Sequence, residues 1–517
     1  MRMGQLLLLI LFVSFPSSGA VAESIPDALR RIQKEQNLEM PVSTVLEDRE
    51  FQSRPVRESL RDYIRARQAL AQNEPITAMG LLTSAISLDP SNEAAWRELA
   101  IIRERRQQYR QAHQAWQRVI LINPRDLRAL QSLGITSSLE GDMGETARRL
   151  MAWRLNDGHR TFDDLRPFHG VMAEAALAES LEILDEGDVA AAIRQSVHDD
   201  IRAMAQGSKP YRPNVDNWIQ FVRALHQHRA HESAFDALQF GMLAGWVQPQ
   251  ARFRMLILAI GIATLFDDGQ HVSALLHDLD DRGLLDFQPT APGTTPLPEA
   301  LFETARIFNQ MGNSKGAAWL YEDVIEEDPD DVMALNNLAY YLLEQGQIDP
   351  AVERMITTAW EAAPMDSAVL DSYGWLLYLQ DRFEDDEDGP GALSLLSAAH
   401  TQAGEYPSPE VLDHLGDVQY RLGDVDGAKE SWFIASAILT DPASRAEAIG
   451  RIEQLQENLW GWWGSRMKDS AALYDLETGP LKRRLKLKLA ALAAGRRPAV
   501  RETASEAAAT AEKNETR

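Results

Sequence analysis

A period of 34 residues constrains this chain more than any other feature. Ala78, Leu82, Ala85 and Pro90 recur as Ala112, Trp116, Val119 and Pro124, and both shifts are 34 (112 − 78 and 124 − 90). Downstream, Leu301, Ala305, Ala317, Tyr321, Val324 and Pro329 form one unit, and Leu335, Leu338, Ala339, Ala351 and Met355 the next, again 34 apart (351 − 317). Leu370, Tyr373 and Gly374 open a third unit. Its second half, with Ala392, Leu396 and Ala399, is delayed by an insert around Glu384 to Gly391. Leu412, Leu415, Gly416, Ala428, Trp432 and Ala435 form a fourth, closed by Pro442. A unit of this length is one supersecondary element that cannot bury its apolar face alone, whereas stacked copies can.

The landmarks read as a helical hairpin. Small residues at Ala100, Ala339, Gly374 and Gly416 let the first helix approach the second, and Ala112, Ala317, Ala351 and Ala428 do the same from the other side. Trp116, Tyr321 and Trp432 fill the space between neighbours. Prolines after Asp or Asn, at Pro90, Pro124, Pro329 and Pro442, stop the second helix. Gly141, Gly346 and Gly423 fall in the turns, where a left-handed backbone is convenient.

This pattern resembles the tetratricopeptide repeat over about 59–158 and 298–442. The resemblance implies an all-α fold, a right-handed solenoid of antiparallel helix pairs with a concave groove lined by the first helix of each pair. By register with the family, Asn336, Tyr340, Asp371, Trp375, Tyr378, Asp413, Asp417 and Tyr420 face that groove in the C-terminal block, and Arg97, Ile101, Glu104 and Arg128 in the N-terminal one. The aromatics and carboxylates suit an extended peptide with basic or apolar anchors. The family's carboxylate clamp needs lysines. Asn337 sits at its asparagine position, but Phe302, Arg306, Ala368 and Ser372 supply none.

The remaining segments order themselves around the two blocks. Residues 1–22 have the layout of a secretory signal: Arg2, an apolar run from Leu6 to Phe15, then Ala20-Val21-Ala22 with cleavage expected before Glu23. An exported, periplasmic location follows as an expectation. Residues 23–58 read as a helical lead-in, 159–297 as degenerate helical repeats ending in a linker at 290–296, 443–495 as C-terminal capping helices and 496–517 as a disordered tail. Trp460, Trp462, Trp463, Arg466 and Lys468, with the basic helix from 481, suggest peripheral membrane or acidic-partner contact across 460–488, or packing of the tryptophans on the last repeat.

Signatures of chemistry are sparse. The chain has no cysteine, and its net charge of −25 argues against nucleic acid as a partner. Gly312-Asn313-Ser314-Lys315-Gly316 matches the nucleophile-elbow pattern but falls between two helices, without the strand that motif needs. His226, His228 and His231 diverge on a helix, where metal pairs prefer spacings of three or four. Glu384, Asp386, Asp388 and Gly389 begin like a calcium loop, but its twelfth position is Leu395. Asp163, Asp164, His169, His198 and Asp199 have no recognisable spacing. No catalytic, cofactor or metal residue is expected. The expected function is a non-catalytic scaffold holding a protein partner in its groove within a cell-envelope complex. The alternatives are a component docking a polysaccharide synthase or a secretion pore, and an enzyme with its site in 159–297.

Overall fold

Asp and Asn side chains set the phase of nearly every hairpin. Asp126 accepts the Ala129 N–H at 2.7 Å, Asn313 that of Gly316 at 2.8 Å and Asp331 that of Ala334 at 2.8 Å. Each satisfies a donor that the first helical turn leaves open. The computed structural model describes residues 23–38, 40, 54–106, 108–156, 168–207, 214–265, 269–285, 295–387, 389–404, 407–460 and 469–506. The expected signal 1–22, Asp163, Asp164, Asp388, Trp462, Trp463, Arg466, Lys468 and the side chain of Trp460 lie outside that description.

The chain forms two compact units. One comprises Met1–Ala203, Lys209–Tyr211 and Gln227–Ala230, the other Met204–Ser208, Arg212–His226 and His231–Arg517. Each is a stack of helices, and no β-strand occurs among the described residues beyond a lone bridge between Asp386 and Gly389. No described helix is long and apolar enough to cross a membrane.

The first unit holds α1 (Ile25–Glu35), α2 (Arg54–Ala71), α3 (Pro75–Leu88), α4 (Glu93–Arg105), α5 (Tyr109–Ile122), α6 (Leu127–Glu140), α7 (Met143–Leu155), α8 (Phe168–Ile183) and nearly all of α9 (Gly187–Ala205). The pairs α2–α3, α4–α5 and α6–α7 are antiparallel hairpins. Gly141 ends α6 at φ +81°, a conformation in which a side chain is strained. Trp116 and Trp153 are buried.

The second unit begins with α10 (Val215–Gln227), α11 (His231–Leu243), α12 (Pro249–Ala263) and α13 (Gly269–Asp281). The Trp218 indole donates to the Ala237 carbonyl at 2.7 Å, tying α10 to α11. Next come the hairpins α14 (Leu297–Gln310) with α15 (Ser314–Glu327), α16 (Val332–Glu344) with α17 (Pro350–Ala362), α18 (Ser367–Leu379) with α19 (Ala392–Gln402), and α20 (Pro409–Arg421) with α21 (Val425–Thr440). The expected linker 290–296 lies outside the described residues apart from Thr295 and Pro296, and α13 packs on α14 and α15.

Two landmarks move. Ala351 is exposed and Val352 is buried in its place. The turn from α16 to α17 is longer, so α17 starts late and the repeat there spans 35 residues (352 − 317). Pro442 does not close the fourth unit but begins α22 (Pro442–Trp460), where a missing N–H does no harm.

The last helix, α23 (Ser470–Ala493), packs on α21. Leu481 and Leu485 join Trp432, Ala435 and Leu439 in one apolar cluster. Each buried leucine contributes about 1.5–3 kcal/mol. The tail differs from expectation. Residues 496–506 turn back from α23 and are hydrogen-bonded along α18 and α20. Val500 enters the same apolar cluster, which explains why this stretch does not remain solvated. Residues 507–517 lie outside the description.

Candidate peptide-binding groove

Helices α16, α18 and α20 bring the eight expected groove residues together, but not on an open surface. Asn336, Asp371, Trp375, Tyr378, Asp413 and Asp417 are buried, and Tyr340 and Tyr420 are half-buried. Helix α23 and residues 496–506 of the same chain lie against them.

At one end, α23 supplies cations. Lys488 Nζ lies 2.6 Å from Asp413 Oδ1 and also bonds Asp417, while Arg484 Nε reaches Asp413 Oδ2 at 3.2 Å. Burial, together with the neighbouring Asp413, pushes the Asp417 carboxyl above its usual range in spite of Lys488. Lys488 and both carboxylates are buried while Arg484 reaches Asp413 from a partly exposed position, so each buried charge is paired.

Beside it stands a stacked aromatic column. The Trp375 ring lies 3.9 Å from that of His414 and 4.8 Å from that of Tyr378, with interplanar angles of 14° and 7°. His414 Nδ1 is 3.0 Å from Asp371 Oδ1. Burial alone would lower its pKa, but the Asp371 charge and hydrogen bond outweigh that and hold it above the ordinary value. Burial raises the Tyr340 and Tyr378 hydroxyls. Asn336 donates to Asn337 Oδ1 at 3.5 Å, and its own Oδ1 is buried without a hydrogen bond.

The tail crosses the rest of the groove. Arg501 N–H donates to Asp417 Oδ2 at 3.2 Å, and its carbonyl accepts from Tyr378 Oη at 2.7 Å and Arg421 Nη2 at 2.9 Å. A cavity of about 760 Å³ remains between the tail, Glu344, Trp375, His414 and Lys488. A second cleft, of about 740 Å³, runs by Tyr420, Arg421 and Val500. Side chains thus hold this main chain from both its N–H and C=O edges.

The charged residues at the corresponding positions of the first unit are all engaged within the fold. Arg97 pairs with Glu93 and Asp126, and Glu104 accepts from the Trp116 indole at 2.7 Å with Arg128 3.7 Å away. Ile101 is half-buried.

The other candidates resolve individually. Ser314 follows the N-cap of α15, after helix α14 rather than a strand, and donates to Asn309 at 3.1 Å. His226 and His231 do meet, 3.0 Å apart, because the turn between α10 and α11 folds one onto the other. His228 instead contacts Ser138 at 3.3 Å. No group of three or more His, Asp or Glu suited to a metal occurs among the described residues. His169 lies on α8, and His198 and Asp199 on α9. Of the basic helix, Lys488, Arg484 and Lys482 are engaged with carboxylates, leaving Arg483 and Lys486 exposed.

Sequence reasoning missed Arg421, Glu344 and Arg501. Gly495 at φ +64° after α23, followed by Pro498 and Val500, was the signal of a chain stopping one helix and returning to the fold.

The tetratricopeptide-repeat family matches residues 69–134, and a second model of that repeat matches 320–353. The chain carries tetratricopeptide repeats in both stretches. Over 94 residues it is 34% identical to a TPR repeat-containing protein of Pseudomonas aeruginosa, a match covering 18% of this chain and 14% of that protein. Among solved structures, yeast Tom70 is 12% identical, with 85% of this chain and 98% of that one covered at a TM-score of 0.25. A tetratricopeptide repeat protein from Parabacteroides merdae is 9% identical, with 78% and 99% covered at 0.25.

Proposed function

We propose that this tetratricopeptide-repeat protein is a non-catalytic scaffold that holds an extended segment of a protein partner in the groove of α16, α18 and α20, within an exported complex. Tetratricopeptide repeats indicate a protein-interaction scaffold. One observation supports the choice of surface: Asp417, Tyr378 and Arg421 hold the main chain of an extended segment at Arg501. Export is supported by the Arg2 start, the Leu6 to Phe15 run and Ala20-Val21-Ala22.

Affinity capture by the full chain from an envelope extract, compared with the Arg421→Glu variant, tests the groove. Arg421 is a better probe than Trp375 or Tyr378, whose truncation would hollow a packed column at about 3–5 kcal/mol. A protein captured by the native chain and lost with Arg421→Glu supports the reading; equal capture by both contradicts it. N-terminal sequencing of the mature protein tests export. A start at Glu23 supports it and a start at Met1 contradicts it.

A further inference from the structure

The tail is held differently from the helix before it. Helix α23 is anchored by a fully buried ion cluster and an apolar seam. Beyond Val500 the tail is held mostly by polar contacts that water can replace, with Thr503 alone buried among its described residues. Arg501 makes the most. Besides its bonded N–H and C=O, its Nη2 donates to the Glu344 carbonyl at 3.0 Å. Glu344 ends α16, where unpaired carbonyls carry partial negative charge that favours a cation. Five residues on, Glu506 receives Arg421 Nη1 at 2.6 Å and Nη2 at 2.5 Å, a fork-to-fork pairing. The Glu506 side chain remains 43% exposed and that of Arg421 20%. Ser505 adds a bond to Asp381 at 2.6 Å. The bed therefore reads three things: a main chain, an arginine at a helix C-terminus and a carboxylate five residues later.

We propose that residues 496–506 are a self-ligand occupying the partner's place, and that the partner presents an extended segment with an arginine followed five residues later by a carboxylate, binding by displacing the tail. This rests on the groove being the partner-binding face. Displacement fits the anchoring: the tail's one bond to the buried cluster, Arg501 N–H to Asp417, is one that an arriving main-chain N–H replaces, while Lys488 stays paired with Asp413, so the fold persists while the bed opens.

The test is fluorescence anisotropy with a labelled peptide of residues 496–506. It is titrated into the native full chain, the full chain carrying Arg501→Ala and Glu506→Ala, and that variant with Arg421→Ala added. The altered positions lie at the rim, and an unchanged helical circular-dichroism spectrum checks folding. The tail-weakened chain should bind at least about tenfold more tightly than the native one, because binding scales with the fraction of open groove. Adding Arg421→Ala should remove at least roughly tenfold of that gain, the loss of a charge-assisted pair. Equal binding by the native and tail-weakened chains, no binding by either, or indifference to Arg421→Ala would overturn the proposal. Peptide binding without Arg421-dependent capture of a protein would leave the self-ligand standing and remove the scaffold reading. Arg421-dependent capture without peptide binding would do the reverse.

Discussion

The ammonium of Lys488 lies 2.6 Å from Oδ1 of Asp413, and both side chains are buried. Helix α23 is thereby pinned to the inner face of α20 through a pair that can neither reach water nor lose one member cheaply. Lys488→Met should destabilise α20 and α23 by roughly 3–5 kcal/mol, since it leaves buried Asp417 without a cation and Asp413 with Arg484 alone. Adding Asp413→Asn and Asp417→Asn should return part of that. Hydrogen exchange in those two helices reads the change, and identical protection in the single and triple variants contradicts the account.

Gly416 is required by Trp432. A Cβ there would sit 2.4 Å from the indole Nε1, which donates to the Asp413 carbonyl at 3.3 Å and Asp417 Oδ1 at 3.2 Å. Gly416→Ala should cost about 1–3 kcal/mol by overpacking. Gly450, in α22, has nothing within 4 Å of such a Cβ. Gly450→Ala should instead stabilise by about 0.5–1 kcal/mol, the ordinary helix preference for alanine. Thermal melts of the two variants should shift in opposite directions; two shifts of the same sign contradict the packing described.

His414 makes the groove sensitive to pH. Its pKa is raised above 6.5 because the Asp371 charge and hydrogen bond, with Asp413 and Glu344 nearby, overcome burial. The protonated ring also lies stacked on Trp375, which favours a cation. A raised folded pKa gives stability that is fully present below 6.5 and is lost as pH climbs through the raised value. Exchange protection of α18 and α20 should therefore be greater on the acid side of that transition. His414→Gln should flatten the dependence, and an unchanged profile contradicts it.

His226 and His228 act in the opposite direction. Burial, with His231 adding repulsion at His226, lowers each to about 4. Both are neutral in the fold, so their contribution is present above 6.5 and is lost as pH falls through about 4. Helix α10 and the turn after it should lose exchange protection between those values, and replacement of both by Gln should remove that loss. Retained acid sensitivity in the double variant assigns it elsewhere.

The period of 34 made the hairpins legible, because Ala78, Trp116, Tyr321, Gly416 and Trp432 each occupy a steric position that only a stacked repeat imposes. Register with the repeat family put the eight expected residues on α16, α18 and α20. Periodicity carries no information about what lies against them. Asp413 and Asp417 look like solvent-facing acids until Lys488, more than seventy residues on, is brought over them. The tail misled by composition: its alanines and glutamates resemble a solvated segment, while its hold depends on the main chain of Arg501 and on Val500. Ala351 slipped by one because the lengthened turn before Pro350 carries no marker a fixed repeat can detect.

Amide hydrogen exchange at Val500–Glu506 in the intact chain tests most directly the claim that this groove holds an extended peptide. The Arg501 N–H, bonded to Asp417 and screened by Tyr378 and Arg421, should exchange far more slowly than in an unstructured chain. Arg421→Ala should release it. Exchange at the unstructured rate in the native protein would contradict the occupied groove and the reading of its chemistry built on the tail.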